Sequence, residues 1–123
     1  MLYSIESGTR IQNIPHKKDY ERWMSGLSTS DLVQIEAELN RKIDQNDVNT
    51  AGWMPGSDWT GTVFYPIYEA CKKNVDQAAM FFGLIVYKVF MDRPEWWSFG
   101  EYEVDGRPIG SKTYFKLNNS PAI

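Results

Sequence analysis

A mostly apolar run from residue 74 to residue 97 constrains the fold more than any other part of the sequence. Between residues 78 and 91 the only charged side chain is Lys88. A helix that is apolar on nearly every face is normally buried at the centre of a domain. We therefore predict a central helix over about residues 75–92, with the other elements packed around it.

Signals at both ends of this run fit a helix. Asn74 is a favourable N-cap residue, and Pro94 ends the helix because the residue before a proline is pushed out of helical geometry. The segment Gly83–Met91 is also rich in Ile, Val, Tyr and Phe, so a buried strand is the alternative. The length of the run and the N-cap favour the helix.

Three further helices are expected before the central one. Apolar residues recur at spacings of three and four over about residues 15–26, and again after the capping sequence Ser28–Asp31. A third helix is expected over Val63–Lys73, where Pro66 is tolerated if it lies in the first turn. The long connection Gln45–Thr62 is expected to be a loop that is functional or folded down by its own tryptophans.

The period of the apolar residues changes to two after Trp97, which predicts β-structure. Asp105-Gly106 is the strongest hairpin signal in the chain, so an antiparallel hairpin is expected over about residues 98–117. An N-terminal edge strand is expected around Leu2–Ile5. The predicted fold class is α+β, with about four helices, this hairpin, and residues 1–123 forming one compact domain.

Composition and charge exclude several classes of protein. The net charge is −3 and the pI is about 5.1, so nucleic-acid binding is not expected, because phosphate contacts normally require basic patches. The central run is too short to span a bilayer, and the first residues lack the features of a secretory signal. Cys71 is the only cysteine, which excludes an intramolecular disulfide. We therefore expect a cytoplasmic protein without membrane association.

Common catalytic and cofactor signatures are missing from the sequence, including the phosphate loop, GxGxxG and GxSxG. One His and one Cys cannot build the usual zinc site, and the carboxylates do not follow a calcium-loop pattern. No metal and no cofactor are therefore expected. Cys71 and His16 would be a nucleophilic pair only if they met, but Cys71 falls on an apolar helix face, where cysteine packs as a small hydrophobe. The sequence favours a non-enzymatic protein over an enzyme.

Aromatic residues make up 15% of the chain, and several of them lie near carboxylates. If the third and central helices are antiparallel, residues 58–65 approach residues 93–97, and two Trp-bearing loops meet. Aromatic-lined pockets with a few polar groups are typical small-ligand sites, and a carboxylate beside an indole can bind a cation or act as a general acid. The candidate binding residues are Trp53, Asp58, Trp59, Tyr65, Tyr68, Glu69, Glu95, Trp96 and Trp97.

The competing interpretation is that these tryptophans seal a small core between the loop and the hairpin. Two function classes follow. The first is a non-enzymatic interaction or accessory module that presents an aromatic-rich surface to a protein partner or to a second copy of the chain. The second is a small-molecule-binding protein, for a ligand that can be cationic, or a small enzyme with an aromatic and acidic pocket. A homodimer is expected if one face of the central helix is left uncovered.

Overall fold

The structure is a computed structural model, and it describes residues 1–50, 58–100, 103–104, 107–108 and 112–121. It has four helices and a mixed five-stranded sheet within these residues, which confirms the α+β class. The helices are α1 (Lys17–Met24), α2 (Thr29–Ile43), α3 (Tyr65–Ala70) and α4 (Val75–Asp92). The strands are β1 (Leu2–Ser4), β2 (Thr9–Arg10), β3 (Val48–Thr50), β4 (Trp97–Gly100), β5 (Glu103–Val104), β6 (Arg107–Pro108) and β7 (Thr113–Lys116).

Helix α4 is the predicted central helix. The Asn74 side chain accepts a hydrogen bond from the backbone N–H of Gln77 at 3.0 Å, which confirms the N-cap. Half of its 18 residues are buried on several sides of the helix, and α1, α2 and α3 all contact it. Because these neighbours approach from different directions, an almost uniformly apolar sequence is required at these positions.

The three smaller helices differ from their predicted forms mainly at their ends. Helix α2 begins as expected, with Ser28 accepting a hydrogen bond from Asp31 N–H at 3.0 Å. Helix α1 begins at Lys17, two residues after Pro15. Its N-cap residue is His16, which has a φ of 52° and makes no side-chain capping hydrogen bond. Helix α3 is shorter than predicted, and Pro66 lies in its first turn, where a proline removes no helical hydrogen bond.

The five-stranded sheet has the strand order β2-β1-β4-β7-β3. Strand β1 pairs in parallel with β4, and every other neighbouring pair is antiparallel. The predicted N-terminal strand therefore exists but lies inside the sheet rather than at its edge, because β2 turns back to pair with it. Strand β3 was not predicted, since it lies within the segment that was expected to be a loop.

The C-terminal hairpin is present only in part. Strands β4 and β7 pair antiparallel, and β5 and β6 form a separate two-stranded pair further out. Two residues separate β4 from β5 in the sequence, whereas four separate β6 from β7. Asp105 and Gly106, where the turn was predicted, lie outside the described residues. Within the described ranges, Glu103 pairs with Pro108, and Lys116 pairs with Trp97.

Alternation along the strands gives the sheet two chemically distinct faces. The inner face packs on α4. Phe90 of α4 stacks on Tyr114 with a ring-centroid distance of 4.0 Å and meets the edge of Trp97 at 4.9 Å. Leu2, which is aligned with Trp97, is completely buried. The opposite side of the sheet, the outer face, points away from α4.

Candidate functional site

The predicted aromatic residues around α3 lie mainly in the core. Trp59 is 1% exposed, stacks on Tyr68 at 6.2 Å and meets the edge of Phe82 at 6.1 Å. Tyr65 is partly buried and contacts Tyr68 at 6.0 Å. The indole N–H of Trp59 is buried and has no hydrogen-bond partner among the described residues. Trp59 therefore anchors the segment before α3 against α4.

The two carboxylates predicted in this region, Asp58 and Glu69, are exposed, whereas Trp59 is buried. Asp58 is exposed and accepts a hydrogen bond from Thr60 N–H at 3.0 Å, which shapes the local turn. Glu69 is exposed on α3. Trp53 lies outside the described residues.

Trp59 and Trp97 do not lie together in the structure. Trp59 packs on Phe82, whereas Trp97 packs on Phe90, eight residues further along α4. Eight residues of α-helix correspond to about 12 Å. Among the described residues, the expected approach of Trp59 to Trp97 is therefore not observed, because helix α3 is only six residues long.

Trp96 lies on the outer face, in contrast to its neighbour Trp97. Its ring meets the edge of Tyr3 at 6.4 Å, and the guanidinium of Arg10 lies 5.6 Å from the ring centroid. This distance is within the range of a cation–π interaction. Trp96 and Tyr3 are both partly exposed, and Arg10 is exposed. Two adjacent tryptophans thus differ in environment because successive residues of a strand point to opposite faces.

A single row of residues crosses all five strands on the outer face. Arg10 is aligned with Tyr3, Tyr3 with Ser98, Ser98 with Phe115, and Phe115 with Val48. Ser98 is fully buried between its larger neighbours, and its hydroxyl donates to Tyr3 O at 2.7 Å. Val48 is 61% exposed at the other end.

Trp96 and Leu117 lie in a second row on the same face, beside the first. Alternation along the strands places both side chains there, and Leu117 N–H donates to Trp96 O at 2.9 Å. Partly buried hydrophobic residues such as Phe99 and Met91 pack against the main core, but Tyr3, Trp96, Phe115 and Leu117 do not. We define the outer face as this side of the sheet, which consists of Arg10, Tyr3, Trp96, Ser98, Gly100, Thr113, Phe115, Leu117 and Val48. It is the aromatic surface in the described part of the chain that is not used to build the core.

A second polar feature lies between α2 and the end of α4. Arg93 donates to Asn40 Oδ1 at 2.7 Å, to Glu95 Oε1 at 2.6 Å and to Asp44 Oδ1. Burial disfavours the Glu95 carboxylate, but hydrogen bonds from its own backbone and from Arg93 outweigh this and hold its pKa below the usual value. Glu95 is therefore an ionised partner of Arg93 rather than a carboxyl with a raised pKa beside Trp96.

The Arg93 network borders a cleft of about 340 Å³. Three of the residues around it carry carboxylates. The lining consists of Glu36, Asn40, Asp44, Val89, Asp92, Arg93 and Pro94. The sequence patterns did not indicate this cleft, because Asn40 lies among the polar residues of α2 and Asp44 follows the helix as its C-cap, and neither position has a local signal of a cleft. The sequence signal that could have suggested it is the spacing of two hydrogen-bond acceptors. Asn40 and Asp44 are four residues apart, so their side chains lie on the same side of the helix, where both accept from Arg93.

Cys71 does not form a reactive centre. It is 2% exposed, and burial raises the pKa of its thiol to about 11. Within the described ranges, no group of three or more His, Cys, Asp and Glu side chains is arranged to hold a metal ion. Likewise, no helix in the described ranges is long and apolar enough to cross a membrane.

Comparison of the chain with models of protein families, with curated proteins and with solved structures found no match.

Proposed function

We propose that the protein is a non-enzymatic interaction or accessory module that binds a protein partner through the outer face of its sheet. One observation carries this proposal. Tyr3, Trp96, Phe115 and Leu117 lie on the same side of the sheet, with Tyr3 in edge contact with Trp96, and none of them is among the described residues that form the main core or pack against it. Aromatic residues are enriched in protein interfaces because they bury a large area with few rotatable bonds.

Site-specific photo-crosslinking tests this proposal. A photoreactive phenylalanine analogue replaces Phe115 on the outer face, and in a matched variant it replaces Val33, which is 61% exposed on α2. We expect covalent adducts in cells from position 115 that are absent from position 33. The proposal is wrong if position 115 forms no adduct beyond those seen at position 33.

A small-ligand function is the second candidate, and the acidic cleft between α2 and α4 favours it. Of the three carboxylates around the cleft, Asp44 is paired with Arg93 and Asp92 with Lys88, whereas Glu36 has no ion pair with any described residue. A cationic ligand would therefore be attracted to Glu36. A linear diamine is a suitable probe in a thermal-shift titration. Stabilisation by the diamine that is lost in Glu36→Gln would support this candidate, and equal shifts in both proteins would exclude it.

A further inference from the structure

We propose that the occupant of the outer face is a short extended peptide segment that carries an apolar anchor and a carboxylate, with the carboxylate held by Arg10. This inference rests on the proposed function and specifies the partner chemistry. Two features of the outer face lead to it, namely its size and the position of its single charge.

The described part of the outer face is smaller than a stable interface with a second copy of the chain requires. Strands lie about 4.8 Å apart, so the row from Arg10 to Val48 is about 19 Å long. Residues 96–100 extend about 13 Å along the strand direction, which gives a footprint of roughly 250 Å². A stable protein–protein interface buries about 800 Å² on each partner. An extended segment of six residues, about 20 Å long, matches the row instead.

The charge of the outer face is confined to one end. Arg10 is exposed and makes no ion pair with any described residue. Its guanidinium lies 5.6 Å from the centroid of the Trp96 ring, a cation–π contact that favours a position at the edge of the aromatic surface. A guanidinium binds a carboxylate with matched donor geometry. The rest of the row carries no charge, and its polar side-chain groups are the Tyr3 hydroxyl and the Ser98 hydroxyl, which donates to the backbone carbonyl of Tyr3.

These positions set the spacing that a bound segment must have. Arg10 and Phe115 are separated by three strand spacings, or about 14 Å. In an extended chain this distance corresponds to about four residues. A bound segment therefore places its acidic residue about four positions from a large apolar residue that packs between Trp96 and Phe115.

Selection from a random hexapeptide library displayed on phage tests the inference. Wild-type protein, Arg10→Glu and Trp96→Ala are each immobilised and panned in parallel. Arg22→Glu is the matched control, because Arg22 is also exposed and lies 5.3 Å from the ring centroid of Trp23, but on α1. Circular dichroism of each variant verifies folding before selection.

We expect wild type and Arg22→Glu to enrich peptides with Asp or Glu about four positions from an aromatic or aliphatic residue. Arg10→Glu should enrich Lys or Arg at that same position, a change of preference that loss of folding cannot produce. Enriched peptides that require Trp96 but show no charge preference would overturn the inference and leave the proposed function standing. If no peptide distinguishes wild type from Trp96→Ala, the inference and the proposed function both fail.

Discussion

Trp96 and Trp97 provide a matched pair of perturbations, since they are adjacent and identical but lie on opposite faces of the sheet. Trp97 is 1% exposed and packs against Phe90, so its truncation removes a large buried ring and leaves a cavity. Trp97→Ala should lower the free energy of unfolding by about 3–5 kcal/mol. Trp96 has an edge contact with Tyr3 and a cation–π contact with Arg10, which together contribute about 1–2 kcal/mol.

Urea denaturation followed by far-ultraviolet circular dichroism measures both effects on one scale. We expect Trp97→Ala to be destabilised by about 2 kcal/mol more than Trp96→Ala, a large difference because small domains are stable by only about 5–15 kcal/mol. Equal losses for the two variants would refute the two-faced sheet. A larger loss for Trp96→Ala would mean that the two faces have been assigned the wrong way round.

Three further substitutions test local features. Lys72 occupies the left-handed position (φ 55°) of a Schellman motif, with Lys72 N–H bonded to Glu69 O and Lys73 N–H to Tyr68 O. Lys72→Gly should therefore raise the unfolding free energy by about 0.5–1 kcal/mol in urea denaturation, and a destabilised variant would contradict this. Gly83→Ala should stabilise by about 0.5–1 kcal/mol in the same assay, because a Cβ there meets no described atom within 4 Å; destabilisation would show that the position is packed. Glu95→Gln should be less stable than wild type near neutral pH, and the difference should vanish as the pH falls through the lowered pKa of Glu95. A difference that persists in acid would mean that the lost interaction is not ionic.

Elements with strong local signals could be predicted from the sequence. The length and apolar character of residues 75–92 determined α4, and the caps at Ser28 and Asn74 fixed the starts of two helices. In each case the relevant interactions connect residues that are at most four positions apart. Helix α1 starts at Lys17 rather than near residue 15, with His16 in the N-cap position.

The sheet was predicted incompletely because its order depends on contacts between distant residues. Strand β1 pairs with β4 across more than 90 positions, and nothing in the first four residues specifies this partner. Strand β3 has only three residues, Val48–Thr50, and turn-forming residues surround it, so its apolar period is too short to detect. Both strands are held in place by pairing within the sheet rather than by local preference.

The candidate site shows the same limit. A cluster of tryptophans near carboxylates was visible in the sequence, but its members belong to different environments. Trp59 is buried although it lies outside helices and strands, which no local pattern predicts. Trp96 and Trp97 could have been separated in advance, because the period of two that follows Trp97 requires neighbours to face opposite ways. The role of Trp96 as a partner-binding residue stays a prediction.

Hydroxyl-radical footprinting with residue-level mass spectrometry tests the central claim, that the sheet has a buried inner face and an accessible aromatic outer face. The side chains to compare are Trp96 and Tyr3 on the outer face with Trp97 and Tyr114 on the inner face. We predict that Trp96 and Tyr3 are oxidised markedly faster than Trp97 and Tyr114 in the folded protein, and that the rates converge in urea. Protection of Trp96 equal to that of Trp97 would contradict this account of the protein.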